Sequence, residues 1–416
     1  THNHFVLDRG GKVFKQTAPV IKLPAGTSED AHLGLLGLLN SSLACFWLKQ
    51  VCFPKGGDHV GSEGARVRKT LWDERYAFNA TNVGDFPLVE PQPIDLARRI
   101  DDFAQQLAAH RPAAIGAAIP TRAVLNSARL ESASLRRQMI AAQEELDWQC
   151  YLLYELTTKA LPHATPPEIG LGERAFEIVL ARRMAAGNEE TTWFARHNAT
   201  PITDIPAHWP EDYRRIVEAR IALIESDKFI GLIERPEYKR RWATTSWKEQ
   251  EQAALKGWLL DRLEATIKVP AGTQRAGAGE MAALTTTNKM ADRMRADIDF
   301  MQVAELYAGR ADFDVAALVG DLVTCEAVPL LPVLRYTEAG LRKRSEWEHT
   351  WASQRQEDTI DAETTDEAER KRRKAAEVGD IPVPPKYKST DFQKADFWRL
   401  RGGLDVPKER FVSFPQ

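Results

Sequence analysis

Two cysteines and a histidine are evenly spaced near the start of the chain. Cys45 and Cys52 are seven residues apart, and His59 follows after seven more. Thiolates and imidazoles bind zinc, but the usual structural sites use closely spaced ligand pairs. A thiol nucleophile would need a positioned histidine and an electropositive surrounding, neither of which a sequence reveals. The spacing therefore favours cysteines that face a core over a metal site.

Two small hydroxyls, Ser41 and Ser42, interrupt the apolar run "LLNSSLACFW". A catalytic serine on a nucleophile elbow needs the pattern Gly-x-Ser-x-Gly at a turn from strand to helix. The flanking residues here are Leu, Asn, Leu and Ala, so the pattern is absent. Hydroxyls inside an apolar helix more often allow close packing or bond back to the preceding turn. We therefore expect both serines to be structural.

No loop in the sequence matches the common nucleotide or cofactor motifs. It contains no Walker loop and no glycine-rich dinucleotide fingerprint. An (Asn/Asp/Ser)-Pro-Pro-(Tyr/Phe) loop, which holds a flipped adenine, is also missing. The segments "PPEI" at 166–169 and "PPKY" at 384–387 lack the required residues on both sides of the prolines. The chain thus holds no catalytic residue that we can assign.

Two clusters of cations could contact phosphates. The first lies in a glycine-rich segment, and the second lies beside Trp242 and Trp247. Phosphate contacts use cations on loops or helix ends, with aromatic rings or amides nearby. Both clusters could equally be solvated surface, and composition alone does not decide. The first cluster consists of Lys55, Arg66, Arg68, Lys69 and Arg75, and the second of Lys239, Arg240 and Arg241.

Composition limits the class of protein. The chain has 416 residues, so we expect two or three domains. Its formal net charge is only -3, so any basic binding face must be local. We expect no membrane segment and no signal peptide, and the four cysteines favour a cytoplasmic setting over a disulfide framework. Because the first residue is Thr1, we expect a piece of a longer chain.

The pattern of apolar residues predicts an α+β protein. Residues 1–24 and the segment "YAFNATNVGDFPLVEPQP" have strand and turn signals, on either side of a helix from Leu35 to Trp47. Helical patterns dominate from Asp95 onwards, including an apolar seam from Leu135 to Leu153 with Gln143 at one position. The predicted order is a mixed β/α domain (1–93), a helical hairpin or coiled-coil-like spacer (94–160), a helical domain (161–268), a linker (269–280) and a helical C-terminal region (281–416) with a charged segment (352–380).

Several motifs, in order, resemble one family of proteins. They are "LLGLLNSSLACFWLKQVC", "ERYAFNATNVGDFPLVEP", "QEELDWQCYLLYEL", "GERAFEIVLARRMAAG", "ITDIPAHWPEDYRRIVEARI" and "LIERPEYKRRWATTSW". The resemblance covers most of residues 1–270 and returns at "FWRLRGGLDVPKERF". It is to the C-terminal portion of the PglX family, the adenine-specific DNA methyltransferases of BREX (type 2 above all) and phage-growth-limitation defence systems. Type IIG restriction-modification enzymes have a similar layout.

The resemblance implies a role in DNA recognition. The family carries an N-terminal methyltransferase domain that uses S-adenosylmethionine (SAM), followed by a target-recognition domain; residues 1–93 would be part of the latter. This chain would then bind double-stranded DNA and no cofactor, the first cation cluster would neutralise phosphates, and Asn79 and Asn82 could contact base edges. Lys239, Arg240 and Arg241 would be a second, weaker contact. The alternative is a protein-interaction module that docks other defence-system subunits or a phage-encoded inhibitor.

Overall fold

The computed structural model describes residues 3–10, 20–54, 75–116, 118–267, 287–324 and 336–392. The chain divides into two compact units. Unit 1 comprises Thr1–Ala114 and Asn126–Trp247, and unit 2 comprises Ile115–Leu125 and Lys248–Gln416.

Almost all regular structure in the described residues is helical. The helices are α1 (Glu29–Leu39), α2 (Ser42–Val51), α3 (Ala80–Gly84), α4 (Ile94–Ala109), α5 (Pro112–Ile115), α6 (Arg122–Leu153), α7 (Ala175–Ala185), α8 (Trp193–His197), α9 (Glu211–Ser226), α10 (Lys228–Ile233), α11 (Trp247–Ile267), α12 (Thr287–Arg295), α13 (Ile298–Ala308), α14 (Val315–Thr324), α15 (Glu338–Glu363) and α16 (Glu367–Glu377).

The α+β prediction is wrong, because the described part of the N-terminal region contains no strand and no sheet. Residues 20–24 have no regular structure, and Asn79 begins a short helix where strand signals were expected. Within the described ranges, extended pairing is limited to isolated bridges, Pro54 with Tyr76 and Tyr336 with Phe392. The expected mixed β/α target-recognition fold is therefore replaced by helices and irregular segments.

The apolar segment at residues 3–10 pairs with a side chain instead of a strand. The amide of Phe5 donates to Asn40 Oδ1 at 2.9 Å, and Asn40 Nδ2 donates to the Phe5 carbonyl at 3.0 Å. The side chain of Asn3 donates to the carbonyl of Ser41 at 3.3 Å. A backbone group satisfied in this way does not need a neighbouring strand. Alternation of apolar residues in the sequence does not distinguish a segment that pairs with a strand from one that pairs with a side chain.

The predicted helix from Leu35 to Trp47 is two helices with a 67° bend between them. Ser41 caps α2, since its Oγ accepts from the Ala44 amide at 3.1 Å and donates to the Leu38 carbonyl at 2.7 Å. Among the described helices, no single one is long and apolar enough to cross a membrane. The bent pair α1 and α2 meets that test of length and composition only when taken together.

Helix α6 is the central helix of unit 1. The predicted seam is confirmed at Leu135, Met139, Leu146 and Cys150, each of which is buried, and Gln143 is buried with them. Every residue from 139 to 148 is buried, however, so partners surround this part of the helix instead of contacting one face. The core around it contains aromatic residues from several elements, among them Trp148, Tyr151, Phe176, Trp193, Trp209 and Tyr213.

Unit 2 has a separate apolar core. Helices α11 to α14 supply it, with Leu259, Met290 and Phe300 fully buried. The charged segment predicted at 352–380 forms the end of α15 and the whole of α16. Cations of its "ERKRRK" run are paired with nearby acids, for example Lys374 with Asp361 at 2.7 Å. Surface pairs of this kind contribute little stability.

A turn before α7 gives a test of the packing in unit 1. Gly172 has φ +95°, and a Cβ there would clash with the Thr200 carbonyl oxygen. We expect Gly172→Ala to lower the free energy of unfolding by about 3 kcal/mol, through backbone strain and this clash. Gly187→Ala is the matched control, because Gly187 has φ +73° with open space around it, and should cost about 1 kcal/mol. Urea titrations would measure both, and equal losses would contradict the packing described here.

Candidate functional site

The first predicted cation cluster lies mostly outside the described residues, which include only Arg75. That side chain is exposed. The two ends of the segment are close together, because Pro54 and Tyr76 form a bridge and the Ala77 amide donates to the Phe53 carbonyl at 3.2 Å. Lys55, Arg66, Arg68 and Lys69 remain predictions from sequence.

Asn79 and Asn82 already serve a local structural role. Asn79 caps α3, with its Oδ1 accepting from the Asn82 amide at 2.8 Å. Asn82 Nδ2 donates to the Val51 carbonyl at 2.5 Å, which ties α3 to the end of α2. Asn79 Oδ1 and Asn82 Nδ2 could therefore contact a base edge only after these hydrogen bonds within the protein had broken.

The cysteines and serines around α2 lie in the interior. Cys45 and Cys52 are buried free thiols, and His59 lies outside the described residues. Burial raises the pKa of Cys45, so this thiol is not an activated nucleophile. Ser42 is buried, with its amide and hydroxyl donating to the two carboxylate oxygens of Asp147 at 2.8 and 2.6 Å. In the part of the chain that the structure describes, no group of His, Cys, Asp and Glu side chains is arranged to hold a metal ion.

Lys239, a predicted DNA contact, lies in the interior of unit 1. Its ammonium is 2.7 Å from Glu234 Oε1, 2.9 Å from Asp147 Oδ2 and 3.4 Å from Glu144 Oε1. Burial on its own lowers the pKa of a lysine, but these carboxylates raise the pKa of Lys239 above its usual value. The side chain is 1% exposed, so its ammonium has no surface to present to a phosphate. Lys239 is therefore excluded as a contact to DNA phosphates.

The carboxylates around Lys239 outnumber the cation. Asp147 is also bonded by Ser42, and Glu234 accepts from the Tyr151 hydroxyl at 2.5 Å. Neither carboxylate oxygen of Glu144 has a hydrogen-bond partner, although both are buried. Burial raises the pKa of Glu144 to about 7, against the attraction of Lys239. One carboxyl of this cluster is consequently protonated in a substantial fraction of molecules near neutral pH.

A second buried ion pair joins α6 to α9. Arg220 Nη2 donates to Glu145 Oε2 at 2.6 Å and to the Leu161 carbonyl at 2.8 Å. The Tyr213 hydroxyl donates to the other oxygen of Glu145 at 3.2 Å. Removing one member of such a pair leaves an uncompensated charge in the core. This pair therefore fixes α9 against α6.

A third buried pair positions the segment that follows α10. Arg174 contacts Glu177 in a bidentate manner, at 2.8 and 3.0 Å, and Trp193 Nε1 donates to the same carboxylate at 3.0 Å. The remaining terminal nitrogen of Arg174, Nη1, donates to the Arg240 carbonyl at 2.8 Å. Along the chain, buried residues lie before and after Arg240, namely Lys239 and Trp242. The backbone that carries Arg240 is thus held firmly.

Arg240 itself is placed differently from Lys239. Its guanidinium is partly buried, with Cζ 5.0 Å from the centre of the Trp242 ring and Nη2 3.4 Å from His4 Nδ1. Arg241 is also partly buried. Of the second predicted cluster, the structure therefore separates Lys239, in the core, from Arg240, which reaches the surface.

The ionic core was missed by reasoning from sequence, although one signal was present. Glu144 and Asp147 are three residues apart in "QEELDW", a spacing that puts both on one face of a helix. A face with two acids inside an apolar seam would need cations from elsewhere in the chain. Nothing local in the sequence indicated that Arg174, Arg220 and Lys239 supply them.

Comparison with known proteins gives a family assignment. Residues 139–416 match a family model described as a domain of unknown function, DUF7008. Over its whole length the chain is 51% identical to a protein of Streptomyces coelicolor named "Adenine-specific methyltransferase PglX". The chain spans 34% of the length of that relative and corresponds to its C-terminal part. No solved structure matches. The chain therefore belongs to the DUF7008 family and is related to the C-terminal portion of PglX.

Proposed function

We propose that the chain is the DNA-recognition and clamping part of an adenine-specific DNA methyltransferase in an anti-phage system of the BREX type. The observation that carries this proposal is the 51% identity, over the whole chain, to a protein named as an adenine-specific methyltransferase. An enzyme that modifies adenine in DNA must hold the duplex while the base is flipped out. This chain carries no methyltransferase motif in its sequence, so its residues are available to hold the duplex.

Catalysis itself is assigned elsewhere under this proposal. A SAM site of the kind implied by the resemblance needs a glycine-rich turn after a strand. The described residues offer no strand to carry such a turn, so they do not fit SAM. The methyltransferase domain would supply the chemistry, in a cytoplasmic setting.

The proposed phosphate contacts are the exposed Arg75, the sequence-predicted Lys55, Arg66, Arg68 and Lys69, and the partly buried Arg240 and Arg241. Cations on irregular segments held by a rigid core are typical of backbone contacts to DNA. Asn79 and Asn82 would contact DNA only if their hydrogen bonds to the Asn82 amide and the Val51 carbonyl were broken.

Binding of a short DNA duplex to the 416-residue chain, measured by fluorescence anisotropy, tests this proposal. Each phosphate contact releases counterions, so the logarithm of affinity should fall linearly with the logarithm of salt concentration. For five contacts the loss between about 50 and about 200 mM salt is on the order of several hundredfold.

A charge variant with a matched control sharpens the measurement. Replacing Lys55, Arg66, Arg68 and Lys69 by Gln should reduce the salt slope by about 3 to 4. Replacing Arg372 and Arg373 by Gln should leave it unchanged, because these α16 cations are paired with Glu369 and Glu377. A folded chain that fails to bind duplex at low salt would refute the proposal.

A protein-interaction module is the alternative that such a result would favour. Two features of the sequence favour it, the apolar seam from Leu135 to Leu153 and the charged segment 352–380. The first is weakened, because Leu135, Met139, Leu146 and Cys150 of the seam are buried within unit 1. The other, the charged surface of α15 and α16, remains available to a partner subunit or inhibitor.

A further inference from the structure

Arg240 is a partly buried cation without a counter-charge close by. Three buried cations of the same unit, Arg174, Arg220 and Lys239, each contact a carboxylate within 3 Å, and a fourth, Lys49, donates to the Glu237 carbonyl at 2.6 Å. Among the described residues, no carboxylate lies within ion-pair distance of the Arg240 guanidinium. Asp147 influences it only through the longer-range field, and that carboxylate is already engaged by Lys239 and Ser42.

The guanidinium is held in a defined orientation. Trp242 packs against it in the core, with Cζ 5.0 Å from the ring centre, and Arg174 fixes the backbone carbonyl of Arg240. A guanidinium that lies over an indole ring gains a cation–π attraction, which helps to hold it in place. The only hydrogen bond made by its side chain within the described residues is the long one to His4 Nδ1, 3.4 Å. Several donors are thus open to a planar or tetrahedral oxyanion.

Charge and desolvation both favour an anion at this position. Burial lowers the pKa of Arg240 to about 10, which reflects the cost of removing the cation from water. Desolvation, followed by the neighbouring Arg240, lowers the pKa of His4, so the imidazole is neutral near pH 7 and adds no competing charge. A bound anion would offset that cost through short, charge-assisted hydrogen bonds.

We propose that Arg240, which lies over the Trp242 ring and beside His4, forms a binding site for a phosphate group. The fork of a guanidinium matches two oxygens of a phosphate. The phosphate is a phosphodiester of DNA if the proposed function holds, and free phosphate or a small phosphorylated ligand otherwise. Only the source, not the site, rests on the proposed function.

The melting temperature of the 416-residue chain in inorganic phosphate tests the site directly. Phosphate should raise it by about 3 °C relative to acetate or chloride at equal ionic strength. Arg240→Gln should abolish this difference. The matched control is Arg215→Gln on α9, an exposed arginine paired only with Glu211 in the part of the chain described, and it should respond as the parent chain does.

A conservative variant guards against a folding defect. Arg240→Lys keeps the charge but lacks the fork, so it should fold, as judged by circular dichroism, and show less than a third of the phosphate response. The proposal is overturned if the parent chain does not distinguish phosphate from acetate, or if both Arg240 variants respond like the parent.

Duplex binding then identifies the source of the phosphate. If it is DNA, Arg240→Gln should weaken binding about 10-fold or more at fixed salt, and inorganic phosphate should compete. If it is a free phosphate, the thermal response should depend on Arg240 while duplex binding does not. A chain that binds no DNA but retains the Arg240-dependent phosphate response would refute the proposed function and leave this site standing.

Discussion

Replacement of Lys239 by Met should destabilise unit 1 by about 3–5 kcal/mol. The substitution leaves Glu144, Asp147 and Glu234 facing one another in the core without the ammonium that joins them. Repulsion among the carboxylates and the lost hydrogen bonds act in the same direction. Urea unfolding followed by tryptophan fluorescence would measure the change, because Trp148 lies in the same core.

The control for this experiment is Lys228→Met. Lys228 is exposed on α10 and has no ion pair among the described residues, so its replacement should change stability by less than about 0.5 kcal/mol. Adding Asp147→Asn to Lys239→Met should recover part of the loss, since the two residues form one network. A loss below about 1 kcal/mol for Lys239→Met would contradict the arrangement of the ionic core.

The same variant separates two roles that the sequence could not distinguish. "EYKRR" has the composition of a basic surface patch, and a DNA contact at Lys239 was a reasonable prediction from it. Burial of Lys239 depends on acids at 144, 147 and 234, which the fold brings together from distant parts of the chain. We expect Lys239→Met to change stability and leave the salt slope of DNA binding, measured under conditions where the variant is folded, unaltered.

Periodic apolar residues were a reliable guide to the helices. The apolar seam predicted from Leu135 to Leu153 is found on α6, because its apolar residues recur at helical spacing over several turns. The short apolar runs near the N-terminus were misleading. At Phe5 the side chain of Asn40 takes the backbone hydrogen bonds that a neighbouring strand would have taken, and a contact 35 residues away leaves no local signal.

The candidate site was only partly predictable for a related reason. Asn79 and Asn82 were expected to face base edges, yet helix capping and a bond to the end of α2 use them first. Arg240 was predicted as a cation among others. It differs from Arg174, Arg220 and Lys239 in having no nearby carboxylate among the described residues, and only a comparison of their surroundings reveals this difference.

The second large effect is a change in the pH dependence of stability when Glu144 is replaced by Gln. The folded chain holds the Glu144 proton with a pKa of about 7, above the usual value of 4.5, because of burial. Between these two values the folded state binds more protons than the unfolded state, so this group makes stability fall as pH rises from about 4.5 to about 7. Gln is nearly isosteric and does not titrate.

We therefore expect Glu144→Gln to match the parent chain near pH 4.5 and to exceed its stability at pH 8 by on the order of 1–3 kcal/mol. Urea titrations at several pH values would give the two profiles. Glu218→Gln, an exposed position on α9, serves as control and should follow the parent profile throughout. Parallel profiles, or a variant less stable than the parent at pH 8, would mean that Glu144 is ionised and well compensated in the core.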